Sequence, residues 1–99
     1  MLNIKTTADG DTFVIRLEGR LDTTTAPELE KKLKSDLENV TDLVFDLDAL
    51  DYISSAGLRV LLSAQKTMNK KGSMVVRNSS EEVREIFDVT GFSDILTIE

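Results

Sequence analysis

The sequence contains no cysteine and no histidine among its 99 residues. The first absence excludes disulfides and thiolate chemistry, and the second removes the commonest general base and the commonest metal ligand. Most catalytic arrangements are therefore excluded. We expect a chain that is not an enzyme and that binds neither a metal ion nor a cofactor.

Long apolar runs and an excess of positive charge are also missing. No run approaches the roughly 20 residues that span a bilayer, and residues 1–5 lack the regions of a signal peptide, so we expect a cytoplasmic location. A net charge of −6 argues against nucleic acid as a partner, because phosphate backbones are bound through Lys and Arg. With 40% hydrophobic residues, the chain is expected to form one domain over residues 1–99.

Two hydrophobic periods alternate along the chain and predict its architecture. A period of two and short apolar runs indicate strands, whereas a spacing of three to four residues indicates helices. Capping-box spacings place Thr25 and Ser79 just before the first and third helices, with Glu28 and Glu82 three residues later. The predicted strands are 2–6, 12–18, 43–47, 74–77 and 95–98, and the predicted helices begin after Thr25, near Ala56 and after Ser79.

This order, β-β-α-β-α-β-α-β, predicts an α/β fold with a mixed, mostly parallel sheet and flanking helices. A turn at residues 8–11 makes the first pair antiparallel, and right-handed parallel crossovers join the later strands. The nearly continuous apolar run of residues 43–47 suits a strand that is covered on both faces. We therefore expect helices on both sides of at least part of the sheet.

The most informative stretch is residues 48–62, in which an apolar strand leads into Ser54 and Ser55 at the start of a helix. A hydroxyl there lies among free backbone N–H groups at the positive end of the helix dipole, so an added phosphoryl group would be partly stabilised. The pattern indicates a switch at Ser55. A serine pair before a helix can also be only an N-cap and its neighbour, since serine is favoured there for its hydrogen bonding alone.

Three stretches of the chain resemble the STAS domain family, which includes bacterial anti-sigma factor antagonists and the C-terminal domains of sulfate transporters. The resemblance covers nearly the whole chain. It puts the phosphorylated serine of the family on Ser55, while Ser54 stands where the family usually has Asp. The stretches are Gly19-Arg20-Leu21-Asp22 followed by Thr-Thr-Thr-Ala, Val44-Phe45-Asp46-Leu47, and Tyr52-Ile53-Ser54-Ser55-Ala56-Gly57-Leu58.

The resemblance implies a regulatory binding function. It implies that the chain docks on an anti-sigma factor, itself a serine kinase of the histidine-kinase-like ATPase type, and thereby releases a sigma factor. Phosphorylation at Ser55 would end the interaction, and the ATP and magnesium would belong to the kinase. We expect a monomer when the chain is free. The predicted partner-binding residues are Asp22, Thr23, Ser54, Ser55, Gly57 and Arg59.

Charge is expected to drive the switch. A phosphoserine carries about −1.5 to −2 charges, and it would add repulsion beside Asp22 and the acidic stretch Asp46, Asp48 and Asp51. The acidic stretch also permits a metal interpretation, although it lacks the Gly and the closing Glu of a calcium loop and fits a solvated edge better. Gly57 has two interpretations, access to the serine or tight packing against a neighbouring strand.

Two other classes of function stay open at this stage. An accessory module of a transporter or a signalling assembly would bind its partner equally well after Ser55→Asp. A small hydrolase that used Ser55 or Ser63 would be labelled by a serine-reactive phosphonate. The lack of a visible general base disfavours the hydrolase.

Overall fold

The structure, a computed structural model, describes residues 2–99. It follows the predicted order up to the last strand, as β-β-α-β-α-β-α. Within this range the longest helix has 15 residues, and none combines the length and apolarity needed to cross a membrane. The strands are β1 (Leu2–Asp9), β2 (Thr12–Leu21), β3 (Asp42–Ile53) and β4 (Ser73–Arg77), and the helices are α1 (Ala26–Asp36), α2 (Ser55–Asn69) and α3 (Glu81–Thr90), followed by a 3₁₀ turn (Phe92–Asp94).

The strands form one mixed sheet in the order β1-β2-β3-β4. β1 and β2 run antiparallel because only the two-residue turn Gly10-Asp11 joins them, and Gly10 has the positive φ of 62° that such tight turns require. β2 with β3 and β3 with β4 are parallel, since α1 and α2 return the chain along the sheet. The predicted mixed, mostly parallel sheet is confirmed.

The strand predicted at residues 95–98 is reduced to a single parallel bridge between Val76 and Ile98. The chain forms a 3₁₀ turn just before it, and the amide of Leu96 still donates to the carbonyl of Phe92 at 2.8 Å. This turn uses the residues that were predicted to begin the strand. Too few extended residues are left for a full ladder beside β4.

All three helices pack on one face of the sheet. The buried residues of that face alternate along the strands and include Ile15, Leu17 and Phe45. Because β2, β3, β4 and the bridge beyond β4 follow one another in the same direction, right-handed crossovers place the helices on the same side. The expectation of helices on both sides is wrong, and Val44 on the open face is only half-buried. The polar residues of the open face include Lys5, Arg16, Glu18, Asp46 and Arg77.

The third helix begins one residue later than its capping-box spacing predicted. Ser80, and not Ser79, is the N-cap, and its hydroxyl accepts a hydrogen bond from the amide of Val83 at 3.2 Å. Glu82 consequently lies at the second helical position beside Glu81. Both carboxylates are then in the first turn, where the positive end of the helix dipole stabilises them.

Candidate functional site

The candidate site lies where β2 and β3 end, at the starts of α1 and α2. The amide of Ser54 donates to the carbonyl of Leu21 at 2.8 Å, which joins the two strand ends. Leu21 leads into the loop before α1, and Ser54 leads into the first residue of α2. The fold therefore brings the predicted residues Asp22 and Ser55 into one neighbourhood.

The two serines have different environments. Ser54 has an extended backbone (φ −96°, ψ 175°) and caps α2, and its hydroxyl accepts a hydrogen bond from the amide of Gly57 at 3.3 Å. Ser55 is the first residue of the helix, and it is exposed. The capping interpretation is therefore confirmed for Ser54. It leaves the Ser55 hydroxyl open to solvent.

The first turn of α2 is electrostatically receptive to an anion. It contains no acidic residue, whereas Glu28 lies in the first turn of α1 and two glutamates lie in the first turn of α3. The positive end of the α2 dipole is thus not balanced by a carboxylate of its own helix. An anion at Ser55 would also meet the first backbone amides, which have no acceptor inside the helix.

Asp22 organises the loop before α1. Its Oδ1 atom accepts a hydrogen bond from the Thr24 hydroxyl at 2.7 Å and from the amides of Thr24 and Thr25 at 3.0 and 3.1 Å. These hydrogen bonds, the Thr24 hydroxyl first, outweigh the loss of hydration and hold the pKa of Asp22 below its usual value. The hydrogen bonds hold the negative charge of Asp22 in the loop that follows Leu21, whose carbonyl is bonded to the amide of Ser54 at the start of α2.

Thr25 does not form the predicted capping box with Glu28. It is the N-cap residue of α1, but its side chain makes no capping hydrogen bond. Its buried hydroxyl instead donates to the carbonyl of Arg20 at 2.8 Å and accepts from the amide of Asp22 at 2.8 Å. The Thr25 hydroxyl therefore joins the loop to the end of β2 by hydrogen bonds. The Asp22 carboxylate accepts hydrogen bonds from the loop amides that precede the helix.

Thr23 and Arg59 are exposed and line a common cleft between the starts of α1 and α2. The cleft has a volume of about 280 Å³. Ala56, the neighbour of Ser55, lines it as well, together with Pro27 and Val60. The surface around Ser55 therefore continues into a partly apolar groove.

Gly57 is buried, and its role is close packing. A Cβ atom at this position would lie 2.7 Å from Cγ of Leu21 and 2.8 Å from Cγ1 of Ile53. The missing side chain lets the start of α2 approach the ends of β2 and β3. Of the two interpretations, the structure favours tight packing, and Gly57 presents little surface to a partner.

Arg20 and Tyr52 also lie beside this site, and neither was predicted from the sequence as a site residue. The guanidinium carbon of Arg20 is 4.4 Å from the centre of the Tyr52 ring, and the two residues are register partners on β2 and β3. The Arg20 Nε atom is also 3.9 Å from Oδ2 of Asp22. Tyr52 is 36% exposed, so its ring is accessible at the surface. The only sequence signal was that both residues belong to the family-like stretches.

The acidic stretch of β3 lies mostly away from Ser55. Asp46 accepts a hydrogen bond from Asn78 at 3.1 Å and lies 4.0 Å from Arg77, while Asp48 lies 3.7 Å from Arg16. At about 3.3 Å per residue these aspartates are roughly 15 to 25 Å from the end of β3. This exceeds the screening length of about 8 Å, so the expected repulsion from Asp46 and Asp48 is wrong. Asp51 lies only two residues before the end of β3, and repulsion from it stays a prediction. No group of three or more potential ligands within residues 2–99 could hold a metal ion.

The chain is similar to known anti-sigma factor antagonists in both sequence and fold. The anti-sigma-B factor antagonist of Bacillus subtilis strain 168 is 32% identical over 98 residues, which cover 98% of this chain and 90% of that protein. The crystal structure of an anti-sigma factor antagonist from Mycobacterium paratuberculosis has a TM-score of 0.90 at 22% identity and covers 99% of this chain and 85% of that one.

The antagonist SpoIIAA from Bacillus is similar in both its unphosphorylated and its phosphorylated form. The TM-scores are 0.77 and 0.76 at 20% identity, and the superpositions cover 100% of this chain and 87% and 91% of those chains. The sequence profile of the STAS domain matches residues 3–99. The chain therefore belongs to the STAS domain family.

Proposed function

We propose that this chain is an anti-sigma factor antagonist that is switched off by phosphorylation of Ser55. The observation that carries the proposal is the exposed Ser55 hydroxyl at the first position of α2, in a turn that has no acidic residue. The name of the 32% identical relative supports the antagonist function, and the two forms of SpoIIAA support a phosphorylation switch. The proposed partner is an anti-sigma factor with serine kinase activity.

The proposed docking surface surrounds Ser55. It consists of Asp22, Thr23, Ser54 and Arg59. The buried Gly57 contributes indirectly, because its close packing positions the start of α2. Arg20 and Tyr52 extend it along the strand ends, and residues of these two types often dominate the binding energy of interfaces. An exposed aromatic ring, a cation and a fixed carboxylate together favour a protein partner with both polar and apolar groups.

The proposed modification is an ordinary phosphoryl transfer. The γ-phosphoryl group of ATP, held by the kinase, forms a bond to Ser55 Oγ while its bond to ADP breaks. The hydroxyl proton passes to a base of the kinase or to solvent. This chain supplies only the acceptor hydroxyl, so it needs no nucleotide site, no cofactor and no catalytic group of its own.

The added charge is large enough to act as a switch. About −1.5 to −2 charges would have to be desolvated at the interface, next to the fixed carboxylate of Asp22. A loss of about 3 kcal/mol weakens binding more than a hundredfold. The receptive helix start accepts the same charge without a change of fold, because it carries no other anion.

Incubation with the cognate anti-sigma kinase and ATP, followed by mass mapping, tests the acceptor directly. We expect one phosphate on Ser55 and none after Ser55→Ala. Modification of Ser54 alone, or of neither serine, would contradict the proposal. Ser54 is a useful internal comparison, because its hydroxyl already caps the helix.

Binding measurements separate this function from that of an accessory module. We expect Ser55→Ala to keep partner binding and Ser55→Asp to lose it. Thr6→Asp is the matched control, since Thr6 is exposed on β1 and the change adds the same charge far from Ser55. Equal binding by all variants would favour a module of the same fold that works without phosphorylation. The proposal also includes a monomeric free chain over residues 1–99 that acts in the cytoplasm.

A further inference from the structure

Arg59 lies one turn after Ser55 on α2, and both residues are exposed. Residues four apart on a helix share a face, with Cβ atoms about 5 to 6 Å apart. A negative charge that precedes a positive one at this spacing is the favourable order, because it also follows the helix dipole. A phosphoryl group on Ser55 would therefore lie within reach of the Arg59 guanidinium.

The Arg59 guanidinium is uncommitted in the unmodified chain. It takes part in none of the ion pairs within residues 2–99. Glu30 lines the same cleft but lies 3.6 Å from Lys34 on its own helix. The first turn of α2 supplies no carboxylate either. Arg59 therefore does not have to break an existing ion pair in order to bind an added phosphoryl group.

This spacing is particular to α2 among the helices described. The residue four after the first residue of α1 is Glu30, and the corresponding residue of α3 is Glu85. Both are acidic and would repel a phosphoryl group at the start of their helices. Only α2 combines an exposed serine at its first position with a cation one turn later.

We propose that Arg59 receives the Ser55 phosphoryl group and that this pairing is part of the off state, an inference that rests on the proposed function of Ser55. In the unmodified chain Arg59 presents an exposed positive charge at the cleft beside Thr23. After modification the same guanidinium is bound within the chain. Phosphorylation thus changes the docking surface twice, since it adds a dianion and withdraws a cation.

Phosphoserine placed at position 55 during translation allows a test that needs no kinase. ³¹P NMR follows the second ionisation of the phosphoryl group with pH in the wild-type chain, in Arg59→Gln and in Lys66→Gln. Lys66 is exposed on α2 about three turns from Ser55, so its loss removes the same charge without removing the pair. We expect the ionisation midpoint to rise by about 0.2 to 0.4 pH unit in Arg59→Gln and to stay unchanged in Lys66→Gln.

A second variant and a second readout sharpen the result. Arg59→Lys keeps the charge and should keep most of the shift. The fold loss of partner affinity on phosphorylation should be smaller in Arg59→Gln than in the wild-type chain, because one of the two surface changes is already present. Equal midpoints in the wild-type chain and Arg59→Gln, or equal rises in both Gln variants, would overturn the pairing.

The two proposals fail in different ways. A cognate anti-sigma kinase that leaves Ser55 unmodified would contradict the proposed function. The NMR titration would still decide whether Arg59 receives the phosphoryl group, because the phosphoserine is introduced without the kinase.

Discussion

Two helices of this chain begin with the same serine cap and differ in the residues that follow it. The Ser54 hydroxyl accepts from the amide of Gly57 at 3.3 Å, and the Ser80 hydroxyl accepts from the amide of Val83 at 3.2 Å. Two glutamates follow in α3, whereas α2 continues with the neutral, exposed Ser55. The cap begins the helix in both cases. The residues after the cap decide whether the first turn of the helix carries a permanent negative charge, as in α3, or one that can be added by modification, as proposed for α2.

The largest expected effect comes from a substitution of Gly57, the third residue after the cap of α2. The equivalent residue of α3 is Val83. Gly57→Ala places a Cβ within 3 Å of the fully buried side chains of Leu21 and Ile53. Helix propensity alone favours Ala by about 1 kcal/mol, but we expect the overlap to win and to lower the free energy of unfolding by about 1 to 3 kcal/mol. Urea denaturation measures the change.

Ala56→Gly is the matched control for this variant, because it makes the reverse change one residue earlier in the same turn. It should cost no more than about 1 kcal/mol. A Gly57→Ala chain that is more stable than the wild type would show that α2 does not depend on close approach at its start.

The two caps should be energetically equivalent. Ser54→Ala and Ser80→Ala each remove one hydrogen bond to a first-turn amide, so we expect each to lower the free energy of unfolding by about 1 kcal/mol. Urea denaturation of both variants measures this. A loss of stability in only one of the two variants would contradict the expected equivalence of the two caps.

Exchanging charge between the two helix starts should give smaller, opposite effects. Ala56→Glu gives α2 an acid at its second position, and Glu82→Gln removes the acid from the same position of α3. We expect a gain and a loss of about 0.3 to 1 kcal/mol at low ionic strength, because each change alters the interaction with the helix dipole. Both effects should shrink in thermal unfolding at high salt, and a loss of stability in both variants would contradict this account.

The smallest expected effect is a difference in acid sensitivity between the loops that enter α2 and α3. Burial opposes ionisation of Asp46, but hydrogen bonds from Asn78 and the Asp48 amide, with Arg77 and Arg16 nearby, outweigh it and hold its pKa below the usual value. A lowered pKa stabilises the fold above the ordinary Asp value of about 4, and this contribution is lost as the pH falls through the native pKa.

The loop before α3, which contains Asn78, should therefore loosen in acid before the start of α2 does, since the latter is joined to β2 by the backbone bond from Ser54 to Leu21. NMR amide shifts recorded from pH 7 to pH 2.5 test the order. Asp46→Asn should remove most of the difference between the two sites. Simultaneous loosening at both sites in the wild-type chain would contradict the prediction.

The parts of the site that could be predicted from sequence are those with a local cause. Apolar spacing located the helices, and the preference of serine for helix starts placed Ser54 and Ser55 at the start of α2. The N-cap of α3 was one residue off because Ser79 and Ser80 are adjacent and both fit a cap. Local chemistry does not choose between two such neighbours.

The remaining features depend on contacts between distant segments. Arg20 and Tyr52 meet because β2 and β3 pair across two register shifts, and each shift breaks the simple alternation of faces. The close packing of Gly57 depends on where β2 lies in the sheet. Which face of the sheet is exposed depends on the direction of every crossover. The carboxylate of Asp22 bonds to the loop amides because the Thr25 hydroxyl is buried against the Arg20 carbonyl.

The most direct test of the charge switch is the affinity of the cognate anti-sigma factor for the unmodified chain and for the chain phosphorylated only at Ser55. Isothermal titration calorimetry measures both, and the two amide spectra show whether the fold is unchanged. We predict a loss of affinity of more than a hundredfold with the same fold. Equal affinities, or a loss that occurs only because the phosphorylated chain unfolds, would contradict the account.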